Sequence, residues 1–193
     1  MATGEKVSWM NLGDEATGSH LKALVYDVST VSSIEANLGT QGVNKSFQRW
    51  GLPKHIKIDN GRPFVNSTSR KVPTKTILWW VGLGIKVIQN TPRRPQENGI
   101  VECLQGTMCC WSNPKEQKNV QRLQKRLDEE SDFQRNHYRM PGKKYKTRLE
   151  LYPELETNER KYNPNNFNMK LVYEYLSDRV FYRVINKTGV VRF

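Results

Sequence analysis

Residues 92–102 read Pro92-Arg93-Arg94-Pro95-Gln96-Glu97-Asn98-Gly99-Ile100-Val101-Glu102, and the chain on either side takes its meaning from them. Proline fixes its own torsion and restricts the residue before it, so Pro92 and Pro95 predict an extended connection. Immediately beyond, Val101, Leu104, Met108 and Trp111 recur at helical spacing and predict a helix with one apolar stripe. At about 100° per residue, Glu102 falls off that stripe. Its carboxylate then points away from the core, where it can face a strand end. The plainer alternative is a solvated glutamate in a first helical turn, which the helix dipole favours.

Working outward, Val120, Leu123 and Leu127 predict a second helix. Upstream, a strand over 55–58 ends on Asp59-Asn60-Gly61, a helix over 74–83 follows, and a strand over 85–88 returns to the prolines. Asp59 closes its strand at a sharp turn, because Asn and Gly both tolerate left-handed torsions. It reads either as a turn-capping aspartate or as a carboxylate held clear of the sheet. Further upstream, strands are expected over 6–12 and 21–28, with a turn over 13–19 and a third strand over 31–38. A short helix ending near Trp50 is stopped by Gly51-Leu52-Pro53. Strands alternating with helices predict an α/β layered domain.

The segment 139–148 is basic and broken by Pro141-Gly142, so it reads as a linker or a DNA-facing loop. A short helix is expected over 168–176, then a hairpin from Val180 onward. The division expected from this pattern is a core over 1–138, a basic linker and helical extension over 139–177, and the start of a small β-barrel over 178–193.

The chain has 193 residues and a net charge of +12, from 31 Lys and Arg against 19 Asp and Glu. That excess favours polyanionic partners, since each cation beside a phosphate releases condensed counterions. No apolar run approaches membrane-spanning length and no signal peptide opens the chain, so no membrane partner is expected. Cys103, Cys109 and Cys110 lack zinc-ligand spacing, and His20, His55 and His137 are scattered; small thiols in a reducing cytoplasm are the simplest reading.

Five blocks in order carry a resemblance: Trp50-Gly51-Leu52-Pro53-Lys54, Ile58-Asp59-Asn60-Gly61-Arg62-Pro63-Phe64, Gly82-Leu83-Gly84-Ile85-Lys86-Val87, Pro92-Arg93-Arg94-Pro95-Gln96 and Asn98-Gly99-Ile100-Val101-Glu102. With Leu123-Gln124-Lys125-Arg126-Leu127-Asp128 and Thr147-Arg148-Leu149-Glu150-Leu151-Tyr152-Pro153-Glu154-Leu155, the chain resembles the integrase core of bacterial insertion-sequence transposases. Arg183-Val184-Ile185-Asn186-Lys187-Thr188-Gly189 resembles the opening of the small barrel that follows such cores.

The resemblance implies an RNase H-like fold: a mixed five-stranded sheet, three strands antiparallel, flanked by helices. It also implies that two aspartates and a glutamate hold a pair of Mg²⁺ or Mn²⁺ ions for phosphodiester hydrolysis and strand transfer on DNA. Asp59 would be the second aspartate and Glu102 the glutamate. The 42 residues between them exceed the retroviral spacing, with the excess expected in the loop over 65–76. Glu97 lies nearer that spacing, but its context favours Glu102. The implied partners are double-stranded DNA, as element ends and target, and further copies of the chain on that DNA, in a bacterial cytoplasm close to the nucleoid.

The family pattern places its first metal-binding aspartate three residues after a tryptophan; Trp9-Met10-Asn11-Leu12 puts leucine there. Asp14 through a shifted register, or Asp27, are the available substitutes. A two-residue shift moves a carboxylate about 7 Å along a strand, far beside the roughly 4 Å between paired metals. Catalysis is therefore expected to be impaired or absent, and the absence of room before Trp9 for a helix-turn-helix module suggests a truncated element. Arg62, Arg70, Lys71, Lys75, Arg93 and Arg94 form one cluster of candidate phosphate contacts; Arg139, Lys143, Lys144, Lys146 and Arg148 form a second. Three readings follow: a metal-dependent strand-transfer enzyme, a catalytically silent DNA-binding remnant, and a basic RNA- or ribosome-associated protein.

Overall fold

The computed structural model describes residues 7–27, 42–60, 64 and 73–180. The chain divides into two compact units, Met1–Leu52 with Arg93–Tyr162, and Pro53–Pro92 with Asn163–Phe193.

The first unit opens with strands β1 (Val7–Asp14) and β2 (Ser19–Asp27), an antiparallel hairpin pairing Trp9 with Val25 and Asn11 with Ala23. A bulge lets Leu12 face Lys22 while Gly13 faces His20. Side chains alternate across a strand, so Val7, Trp9, Ala23 and Val25 share one face. That face packs on two helices, α3 (Gly99–Ser112) and α4 (Val120–Asn136). Ala23, Met108, Leu123 and Leu127 form the fully buried centre, with Val7, Trp9, Val25 and Trp111 around it. Gly13 is where α3 comes closest, since a Cβ there would overlap Leu104.

Helix α1 (Val43–Trp50) buries Val43 and Phe47 and ends at Gly51, whose φ of 78° lies in the left-handed region that suits glycine. The segment after helix α5 (Arg148–Leu151) straps that end. Leu52 N donates to Arg160 O at 2.6 Å, and Asn158 Nδ2 donates to Trp50 O at 3.0 Å.

In the second unit, β3 (His55–Ile58) pairs in parallel with β4 (Lys86–Gln89), Ile56 opposite Val87. Parallel strands need a crossover, and α2 (Lys75–Gly82) supplies one, burying Ile77, Trp80 and Val81. Thr74 caps it, its Oγ1 accepting from Ile77 N. Helix α6 (Met169–Ser177) packs on α2 through Val172.

The α/β class holds. Among the described residues the strands form one antiparallel and one parallel pair, and the expected five-stranded sheet is not shown. The strand expected over 31–38 and the hairpin beyond Val180 lie outside the described residues. Three local expectations are corrected. The connection expected to be extended turns instead, with Arg93 at φ 64°, then forms a 3₁₀ helix, Pro95–Asn98. Proline's fixed φ suits the first position of a helix as well as extended chain. Val101 is 44% exposed, so the core stripe of α3 is Leu104, Met108 and Ser112. Residues 139–148 are folded rather than a bare linker: Met140 bridges Lys146, and Thr147 with Glu150 forms a capping box at the start of α5.

Candidate functional site

Asp59 stands exposed, one residue past β3, at the carboxyl end of the parallel pair. The strand ends around it are tied together. Asn90 N donates to Ile58 O at 3.0 Å, and Asn60 Nδ2 donates to Asn90 O at 2.8 Å. Asn60 thus clamps the end of β4 beside the aspartate. Glu102 lies in the first turn of α3 and is exposed, off the buried stripe as expected. Asp59 belongs to the second unit and Glu102 to the first.

The first strand tells a different story. Leu12 is half-buried on β1. Asp14 is the last residue of that strand, and its Oδ1 accepts from Thr17 N at 2.8 Å and from Thr17 Oγ1 at 2.7 Å. Together with the bond from Gly18 N to Asp14 O at 2.9 Å, these close the hairpin. Asp14 therefore works as a turn residue, its carboxylate oriented by the loop beyond it. Asp27 ends β2, paired with Val7. Among the described residues no group of three or more His, Cys, Asp or Glu is arranged to hold a metal ion. Leu12 offers a divalent cation no donor atom, and Asp14 has one of its two carboxylate oxygens engaged by Thr17.

Of the candidate phosphate contacts, Arg62, Arg70 and Lys71 lie outside the described residues. Lys75, Arg93, Arg94, Lys143 and Lys144 are all exposed. Lys75 opens α2, Arg94 sits 3.9 Å from Glu97, and Lys144 has φ 53° in the turn after α4. Arg148, grouped with them on sequence, is structural instead. Its Nε donates to Gly18 O at 2.9 Å and its Nη1 to Gln134 O at 3.3 Å, and burial pulls its pKa down.

Sequence reasoning missed a buried polar network that locks the hairpin to α4. His20 is fully buried; its Nδ1 lies 2.8 Å from Ser131 Oγ and its Nε2 3.0 Å from Asn11 Oδ1. Asn11 Nδ2 is bonded in turn to Gln105 Oε1 on α3. His20 N donates to Gln134 Oε1 at 3.0 Å, and Gln134 Nε2 donates to Gly18 O at 3.0 Å. Burial first, then the charges of Arg135 and Lys22, hold the imidazole down at about 3, so it is neutral near pH 7. The available signal was the buried stripe of α4, which runs on past Leu123 and Leu127 into Ser131 and Gln134.

No family model matches the sequence. Among solved structures, the chain is similar to one in the simian T-cell lymphotropic virus intasome in complex with PP2A regulatory subunit B56 gamma, with a TM-score of 0.53 at 18% identity. The match covers 82% of this chain and 55% of that one, so this chain spans about half the length of its counterpart. The catalytic core domain of BIV integrase aligns over 78% of this chain and 95% of its own, with a TM-score of 0.49 at 19% identity.

The fold is integrase-like. Within this integrase-like fold, Asp59 occupies the carboxyl end of a parallel strand pair, a position where open α/β sheets place ligands.

Proposed function

We propose that this chain is a DNA-binding integrase-type core of a mobile element, of the kind found in bacterial insertion-sequence transposases, and that its metal-dependent strand transfer is impaired. One observation carries the second clause. Leucine occupies the position of the first metal-binding aspartate, and the nearest acid, Asp14, is drawn into the hairpin turn by Thr17. A hydrocarbon side chain offers a divalent cation nothing, because Mg²⁺ and Mn²⁺ are held by oxygen donors. Asp59 and Glu102 remain as the two matching acids of the proposed set, and the substitutes that the sequence offers for the third, Asp14 and Asp27, stand at the ends of β1 and β2.

DNA binding rests on the net charge of +12 and on the exposed cations Lys75, Arg93, Arg94, Lys143 and Lys144, to which the sequence adds Arg62, Arg70 and Lys71. Phosphate contacts of this kind position a duplex without reading its sequence. The proposed partner is duplex DNA, with copies of the chain assembling on it.

The decisive assay incubates the protein with supercoiled DNA and Mn²⁺. The expected result is DNA binding with no nicking, binding unchanged in Asp59→Asn, and Mn²⁺-dependent nicking gained by Leu12→Asp. Nicking by the unaltered chain that Asp59→Asn abolishes would establish a working metal site and sink the impaired reading.

A further inference from the structure

We infer that the turn over 140–146 holds an unpaired nucleotide: the Tyr145 ring stacks on its base, and Arg139, Lys143, Lys144 and Lys146 hold the phosphates of its strand. The inference deepens the DNA reading and rests on it. It adds a substrate class for this turn, DNA whose bases are single-stranded or opened, to the duplex proposed above.

Tyr145 is 64% exposed, and among the described residues its ring meets no other ring. The backbone beneath that ring is nonetheless fixed. Met140 N donates to Lys146 O at 3.1 Å across the base of the turn. Lys143 N and Tyr145 N both donate to Met140 O, at 3.0 and 3.1 Å, and Arg139 Nη1 donates to Tyr145 O at 3.1 Å. Lys144 and Tyr145 hold φ at 53° and 55°, a region that bulky residues enter only where the surrounding structure imposes it. Below the turn, the Thr147–Glu150 capping box and the bond from Arg148 Nε to Gly18 O tie it to the rest of its unit. A ring presented on a preset backbone loses less freedom when a ligand covers it.

The charges around the ring are open. Lys143, Lys144 and Lys146 are exposed, and among the described residues none of them is paired with a carboxylate. Arg139 approaches Glu150 at 3.9 Å, an exposed contact of the kind worth little. Lys143 and Lys144 precede the ring and Lys146 follows it, so cations flank it along the chain. Cations for the backbone and an aromatic face for a base are the two parts that hold a single strand without reading its sequence. Inside a duplex the base faces cover one another, and the ring gains a partner only where a strand opens. A partner offering carboxylates alone would use the lysines and leave the ring idle.

The test is fluorescence anisotropy of the full chain on three labelled probes: an oligothymidylate of about 12 nucleotides, an abasic strand of the same length, and a duplex. The unaltered chain is expected to bind oligothymidylate more tightly than the abasic strand, which keeps the phosphates and lacks the bases. Tyr145→Ala should weaken oligothymidylate binding by about tenfold and leave the abasic strand and the duplex as they were. Tyr145→Phe, which keeps the aromatic face, should bind like the unaltered chain. Lys143→Ala with Lys144→Ala should weaken all three probes, because phosphates are common to them. Tyr145→Ala that changes nothing, or that weakens the three probes equally, would overturn the stacking while leaving duplex binding intact as a separate result. Tighter binding of oligouridylate than of oligothymidylate would assign the turn to RNA, and displacement of the strand by polyglutamate of matching charge would assign it to acidic polypeptides; either overturns the inference. A chain that binds none of the three probes would sink the DNA reading itself.

Discussion

His20 shows how much a single polar side chain can hold in place. Its ring nitrogens and backbone N–H tie β2 to Asn11 and to two residues of α4, Ser131 and Gln134. Burial, with Arg135 and Lys22 nearby, favours the neutral ring, which gives a pH prediction. In the folded chain the imidazole titrates at about 3, against 6.5 ordinarily. As pH falls, the unfolded chain takes up this proton first. The stability contributed by neutral His20 is therefore complete above 6.5 and is lost as pH falls from 6.5 towards 3. Over that whole window the loss is on the order of a few kcal/mol. Thermal unfolding between pH 7 and 5, above the range of most carboxylates, should show a falling midpoint. His20→Gln should be less stable at pH 7 by about 2–4 kcal/mol and should flatten the slope. Equal slopes in both proteins would remove His20 as the cause.

Elements were legible where local pattern decides them. The strand over 55–58 was read to the residue, because its alternating His-Ile-Lys-Ile is bounded by Gly51-Leu52-Pro53 on one side and Asp59-Asn60-Gly61 on the other. Helices α2 and α6 fell within a residue or so of expectation for the same reason: periodicity and caps are local signals. What escaped was order imposed from far along the chain. The segment 139–148 looks like linker by composition, yet Arg148 donates to Gly18, whose carbonyl lies 130 residues away. Polar composition does not reveal a buried partner that distant. Gly82 is a similar case at the end of α2. A Cβ there would overlap the Phe167 ring, which stacks on Trp79 at 5.0 Å and 14° between planes and so has little room to yield. Asn168 N also donates to Gly82 O at 2.8 Å, locking the start of α6 to that spot. Gly82→Ala should destabilise by about 1–3 kcal/mol, the usual range for overpacking. Adding Phe167→Leu should recover part of that loss, because the two changes share one contact. Strictly additive losses in chemical denaturation would show that the close approach is not the cause.

At the scale of the whole molecule, the charge excess was legible in the sequence, but the division of labour among the cations was not. Arg148 spends its guanidinium on backbone carbonyls, and Arg135 is buried with a lowered pKa, chiefly from desolvation. Lys75 and Arg94, by contrast, are exposed, and the ion pair of Arg94 with Glu97 at 3.9 Å is of the open kind worth little. Salt dependence separates these classes. For a protein on duplex DNA, the logarithm of affinity falls linearly with the logarithm of salt, with a slope of about −0.9 per phosphate neutralised. Fluorescence anisotropy with a labelled duplex, titrated from about 50 to 200 mM salt, should give a steep slope. Lys75→Ala and Arg94→Ala should each make it shallower by about one phosphate contact, with similar losses on unrelated sequences. Arg148→Ala should lower thermal stability while leaving the slope where it was, because its cation faces Gly18 and Gln134 rather than solvent. If instead Arg148→Ala flattens the slope in a still-folded protein, or Lys75→Ala and Arg94→Ala do nothing to it, then the duplex lies on another face. Lys75 and Arg94 would then be surface charge alone.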